Sequence, residues 1–144
     1  MLFIKKYWEK ISNIGIDDNI TGSLRRHIII MNRLAFTWIP IILLYSIFFF
    51  AVNLKLPALL LIVLVVAHVM ALLFNHLRLY NISRLIETIV PSGIIWLIAC
   101  LVFDSRPNEK VATHYMVNLA FFILPFLYFS IKEKVFIIIG ILVS

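Results

Sequence analysis

The chain has 144 residues, of which 63% are hydrophobic and 14% charged, and a formal net charge of +6. It is too apolar for a water-soluble domain of this length, and belongs with proteins whose helices pack against each other in lipid. The basic excess does not point to nucleic acid, because the charges flank apolar runs and form no stripe interleaved with aromatics.

The first element, Leu2 to Ile14, places Ile4, Tyr7, Trp8, Ile11 and Ile14 at three- and four-residue spacing, with Lys5, Lys6, Glu9, Lys10 and Asn13 opposite. This is the pattern of an amphipathic helix suited to lie among headgroups or to pack on a soluble domain. Gly15 is a helix stop, and Asp17, Asp18, Asn19 and Thr21 offer caps for a second helix that starts near Gly22 and runs on into the first span. Residues 1–33 thus form a juxtamembrane segment and 34–144 a transmembrane helical domain.

Spans are predicted at about 34–52, 56–74, 85–103 and 112–131. Pro40 lies inside the first and should bend it, whereas Pro57 falls in the tolerated first turn of the second. The segment Asn75 to Arg84 reads as a polar connection, and Pro91 and Gly93 as an irregular point in the third span. Asp104 to Val111 reads as a turn, and Pro125 interrupts an aromatic-rich fourth span. The closing run Val135 to Ser144 supplies about ten residues, half of what a crossing needs, so a truncated fifth span is expected, with an inward return and any output domain beyond it. The predicted architecture is an all-α polytopic bundle of four full spans and a partial fifth, preceded by the amphipathic helix.

Lys5, Lys6, Lys10, Arg25, Arg26, Arg33, Arg78, Arg84, Lys132 and Lys134 fall on one side of these spans, and only Lys55, Arg106 and Lys110 on the other. The positive-inside rule then puts the N-terminus in the cytoplasm, facing anionic headgroups. No secretory signal is apparent, since the first long apolar run begins only at Leu34. The sequon Asn81, Ile82, Ser83 lies on the cytoplasmic side and is a chance match.

No nucleotide-binding, nucleophile-elbow or metalloprotease motif occurs, and no catalytic, cofactor-binding or metal-ligating set is assigned. Cys100 is the only cysteine, which leaves no intrachain disulfide. Ionisable groups inside spans are costly, and they single out His68 and Glu87. At about 1.5 Å of rise per residue, His68 lies roughly 9 Å and Glu87 roughly 3 Å inside the same boundary, so the two could meet as a proton-sensitive polar switch. Alternatively, Glu87 snorkels or pairs with Arg84, and neutral His68 bonds a backbone group. Haem ligation by His68 with His114 is excluded by depth, the two being roughly 15 Å apart along the normal. Ser92, Tyr115 and Asn118, with Cys100, could line a small polar pocket, although interhelical hydrogen bonding is the commoner use of such residues. Ala67 and Ala71 form a small-residue pair, and Trp38, Tyr45, Tyr115 and Tyr128 read as interface anchors or packing.

The stretch Ile11, Ser12, Asn13, Ile14, Gly15, Ile16, followed by Leu24, Arg25, Arg26, His27, Ile28 and then Met31, Asn32, Arg33, resembles the opening of a known kind of membrane region. It is similar to the multi-span N-terminal region of bacterial, Bacteroidetes-type sensor histidine kinases and class III adenylate or guanylate cyclases. The resemblance implies an inner-membrane input and anchoring module, a homodimer, with the kinase or cyclase domain following the last helix. It transfers no functional residues. The competing expectation is a fragment of a small-molecule transporter or permease.

Overall fold

The structure, a computed structural model, describes residues 2–17, 19–20, 22–102, 128–129 and 133–143. All regular elements among these are helices: α1 (Leu2–Ser12), α2 (Gly22–Ala51), α3 (Lys55–His76), α4 (Tyr80–Val102) and α5 (Lys134–Val143). The chain is therefore all-helical in its described part, as its apolar periodicity implied. Helices α2, α3 and α4 are each long and apolar enough to cross a membrane, which is compatible with a multi-pass membrane protein. The segments expected as a fourth span, with Pro125, and as the Asp104 to Val111 turn lie outside the described residues, apart from Tyr128 and Phe129. The run expected as a partial fifth span forms α5.

Helix α3 is the centre of the bundle, packed against α2 on one side and α4 on the other, while α1 rests on α2 and α5 on α4. Its buried positions Pro57, Leu61, Leu64, His68, Ala71 and Asn75 follow an alternating four- and three-residue step, the seam of left-handed helix packing. Small residues allow the close approaches. Ser46 donates to the Ala58 carbonyl at 3.0 Å between α2 and α3, and Ser83 donates to the Ala71 carbonyl at 2.6 Å between α3 and α4. Around this seam the outward surface is apolar, with Phe36, Trp38, Leu44, Tyr45, Phe48, Val63, Val66, Trp96 and Leu97 exposed, as expected of helices facing lipid.

Both tight connections end their helices in the same way. After α2, Asn53 sits at φ 63° while Leu54 N–H donates to the Phe49 carbonyl and Asn53 N–H to that of Phe50. After α3, Arg78 sits at φ 64° while Leu79 N–H donates to the Phe74 carbonyl and Arg78 N–H to that of Asn75. These are left-handed Schellman caps, and they satisfy the carbonyls that the last helical turn leaves open.

The expected polar connection Asn75 to Arg84 is corrected by this geometry. Only Leu77, Arg78 and Leu79 are non-helical, and α4 begins at Tyr80. Ser83 and Arg84 look like loop residues in a hydropathy profile, but both are buried because each finds a partner on a neighbouring element. Helix α2 continues through Pro40 and α4 through Pro91, so neither proline ends its helix.

Candidate functional site

The buried core divides into two layers along the bundle. The layer remote from α1 is mainly aliphatic, with Ile42, Leu61, Leu64, Ile94 and Ile98, beside the buried Ser46 bonded to the Ala58 carbonyl. The layer near α1 holds Asn32, His68, Asn75, Ser83, Arg84, Glu87 and Thr88, each at most 4% exposed. Polar groups taken out of water to this degree require partners, and the partners define the site.

At its centre, His68 Nδ1 lies 2.8 Å from both carboxylate oxygens of Glu87. His68 occupies the α3 seam and Glu87 the face of α4 that meets it, one turn beyond Ser83 and its bond to Ala71. Glu87 therefore neither snorkels nor pairs with Arg84. The two groups lie 2.8 Å apart at 5% and 1% side-chain exposure, a contact closed off from solvent between α3 and α4.

Arg84 points elsewhere. Its guanidinium donates to both Glu133 oxygens at 2.9 Å, to the Tyr128 carbonyl at 3.2 Å and to Asn81 Oδ1 at 2.5 Å, and it lies 4.7 Å from the Phe129 ring centroid. This bidentate fork joins α4 to the segment before α5 and holds a side chain that is 1% exposed. Arg84 and Glu87, one turn apart, thus serve two different faces of the same helix.

A second network closes the α1 end of the layer. Asn32 Nδ2 donates to the carbonyls of Ser12 at 3.2 Å and Ile14 at 3.0 Å, and Asn32 Oδ1 accepts from Asn75 Nδ2 at 2.7 Å. Tyr80 donates to the Gly15 carbonyl at 2.6 Å, and Arg78 pairs with Asp17 at 2.9 Å. Gly15 has φ +77° and passes so close to the Asn75 carbonyl that a Cβ there would overlap it. Asn75 and His68 are seven residues apart on one seam, about 10 Å along the helix, so the N-terminal loop is tied to the helix that carries the histidine.

No family model, characterised protein or solved structure matches the chain. The reading of the site therefore rests on its own chemistry. Among the described residues, no three His, Cys, Asp or Glu side chains are grouped to hold a metal ion.

Of the pocket expected from Ser92, Tyr115 and Asn118, only Ser92 is described. It is buried and donates to the Thr88 carbonyl of its own helix at 2.9 Å. Tyr115, Asn118 and the histidine His114 lie outside the described residues, and Cys100 is half-buried on α4. Sequence reasoning passed over Asn32, Asn75 and the burial of Arg84. The signal was present for Asn75, which falls exactly one heptad after His68, but it was assigned to a connection.

Proposed function

We propose that the chain is the membrane-embedded input and anchoring module of a bacterial signalling protein, with a cytoplasmic N-terminus, a homodimeric assembly, and a histidine-kinase or nucleotide-cyclase output domain carried elsewhere in the protein. The observation that carries this reading is the buried His68–Glu87 pair between two helices of membrane-spanning length. Ionisable groups are retained at such positions for proton or signal handling more often than for stability. The α2–α3 connection has only three residues, which leaves no room for a ligand domain there and directs attention to a stimulus acting on the helices themselves.

Protonation is the input this pair is suited to read. With a carboxylate and an imidazolium the pair is neutral overall, and with one proton fewer it carries a net negative charge between apolar helices. Ser83 and Thr88 on α4 bond to backbone carbonyls and the Arg84 guanidinium to Glu133, so none of these three is directed at the pair. A change of one charge in this setting alters how strongly α3 and α4 hold each other. The uninterrupted course of α2 and α4 favours this over the transporter reading, in which broken helices build the binding site.

The test places spin labels at the exposed positions Val69 on α3 and Ile82 on α4 of the chain in lipid vesicles, with Cys100→Ser removing the native thiol. The inter-label distance should shift between about pH 5 and about pH 8 in this chain, and stay constant in His68→Ala and Glu87→Gln. An unchanged distance in the labelled parent removes the proposal, and proton-driven solute uptake by the same vesicles would replace it with transport.

A further inference from the structure

We infer that α1 is a docking surface for anionic lipid headgroups, held by the bundle at the depth where headgroup phosphates lie; this rests on the membrane reading above and adds the partner of the N-terminal segment. Three observations carry it.

The first is that α1 is docked at a definite level. Ser12 Oγ accepts from Arg33 Nε at 2.9 Å, the Arg33 guanidinium lies 5.7 Å from the Trp8 ring centroid, and Trp8 meets Phe36 edge-on at 6.4 Å. Together with the buried Asn32 bonds to the Ser12 and Ile14 carbonyls, these contacts fix α1 beside residues 32–36 of α2.

The second is what changes at that level. The exposed surface of α2 passes there from Arg25, Arg26 and Arg33 to Phe36, Trp38 and Ile41, the transition from headgroup to hydrocarbon surroundings. The exposed Arg78 at the α3–α4 turn is tied to Asp17 of the loop that follows α1, which places that turn at the same end of the bundle as α1.

The third is the outward face of α1 itself. Tyr7 is 60% and Trp8 36% exposed, so the aromatic edge keeps an outward face although Trp8 also touches Arg33 and Phe36. Lys5, Lys6 and Lys10 are exposed as well. Basic residues with aromatic neighbours on a docked interfacial helix match an anionic surface in charge and in amphipathic character.

The experiment uses the full chain with Trp38→Phe and Trp96→Phe, so that Trp8 alone fluoresces, in phosphatidylcholine vesicles doped with headgroup-spin-labelled phosphatidylserine or headgroup-spin-labelled phosphatidylcholine. The anionic label should quench Trp8 preferentially, by up to about fivefold in effective local concentration for each lysine that meets the anionic surface, and lose that preference in Lys5→Gln/Lys6→Gln/Lys10→Gln. Added salt should abolish it without any further substitution, which covers the case of a variant that fails to fold. Equal quenching by the two lipids, quenching by neither, or a preference that survives both the lysine substitutions and salt would each overturn the inference. A companion chain keeping only Trp96, exposed on α4, reports quenching by acyl-chain labels. Its failure would sink the membrane reading itself, whereas its success beside an unselective Trp8 would sink only the headgroup site.

Discussion

Among the described residues, His68 and Glu87 are each other's only side-chain hydrogen-bond partners, so removing either has an unequal consequence. His68→Ala strands a carboxyl group among apolar helices, with an expected loss of about 2 kcal/mol. Glu87→Gln keeps the shape and a hydrogen-bonding amide, with an expected loss of about 1 kcal/mol, in the range measured for polar pairs inside membranes. The double variant should be less destabilised than the sum, with a coupling of about 1 kcal/mol in an unfolding equilibrium measured in bicelles. Strict additivity would mean that the contact contributes nothing to stability. Arg84 illustrates a limit of reading residues singly. Its charge suggests the boundary of a span, but a bidentate partner and an aromatic face make burial tolerable.

Helix α1 and the loop after it behave as one element, latched by Asn32 and by the absence of a side chain at Gly15. Gly15→Ala would force a Cβ onto the Asn75 carbonyl in a left-handed backbone conformation, and should release the segment from the end of α3 at a cost above about 1 kcal/mol. Hydrogen exchange of residues 12–17 should rise strongly in that variant while the centre of α3 stays protected; equal protection would show that the latch is held elsewhere. At this scale much was legible in the chain. The Gly15 stop, the start near Gly22, its continuation into the first span and the tight turn at Asn53 all follow from local chemistry. The start of α4 did not, because Asn81, Ser83 and Arg84 are polar by composition and helical only through what they contact: a carbonyl of α3 for Ser83, and Glu133 for Arg84.

Across the whole molecule, orientation is the property that basic residues dictate. Ten of them lie on one side of the predicted spans and three on the other. A reporter enzyme fused after Asn53 should therefore read as outside the cytoplasm, and one fused after Arg78 as inside. The reverse pattern would invert the topology and place the headgroup surface of α1 on the opposite leaflet.

Hydropathy and spacing alone determined that the chain is helical and apolar enough for a membrane, where its helices begin and turn in the main, and that His68 and Glu87 occupy compatible depths. These are properties of one helix at a time, set by period and rise. Whether the two side chains meet depends on how α3 and α4 are rotated about their own axes, and that rotation is chosen by packing: the heptad seam of α3, and the approach that Ser83 and Ala71 permit. The same packing turns Arg84 toward Glu133 and joins Asn75 to Asn32. Only the tertiary structure could decide it, because a polar residue in a span has several possible partners at its depth and the direction of its helix face selects one.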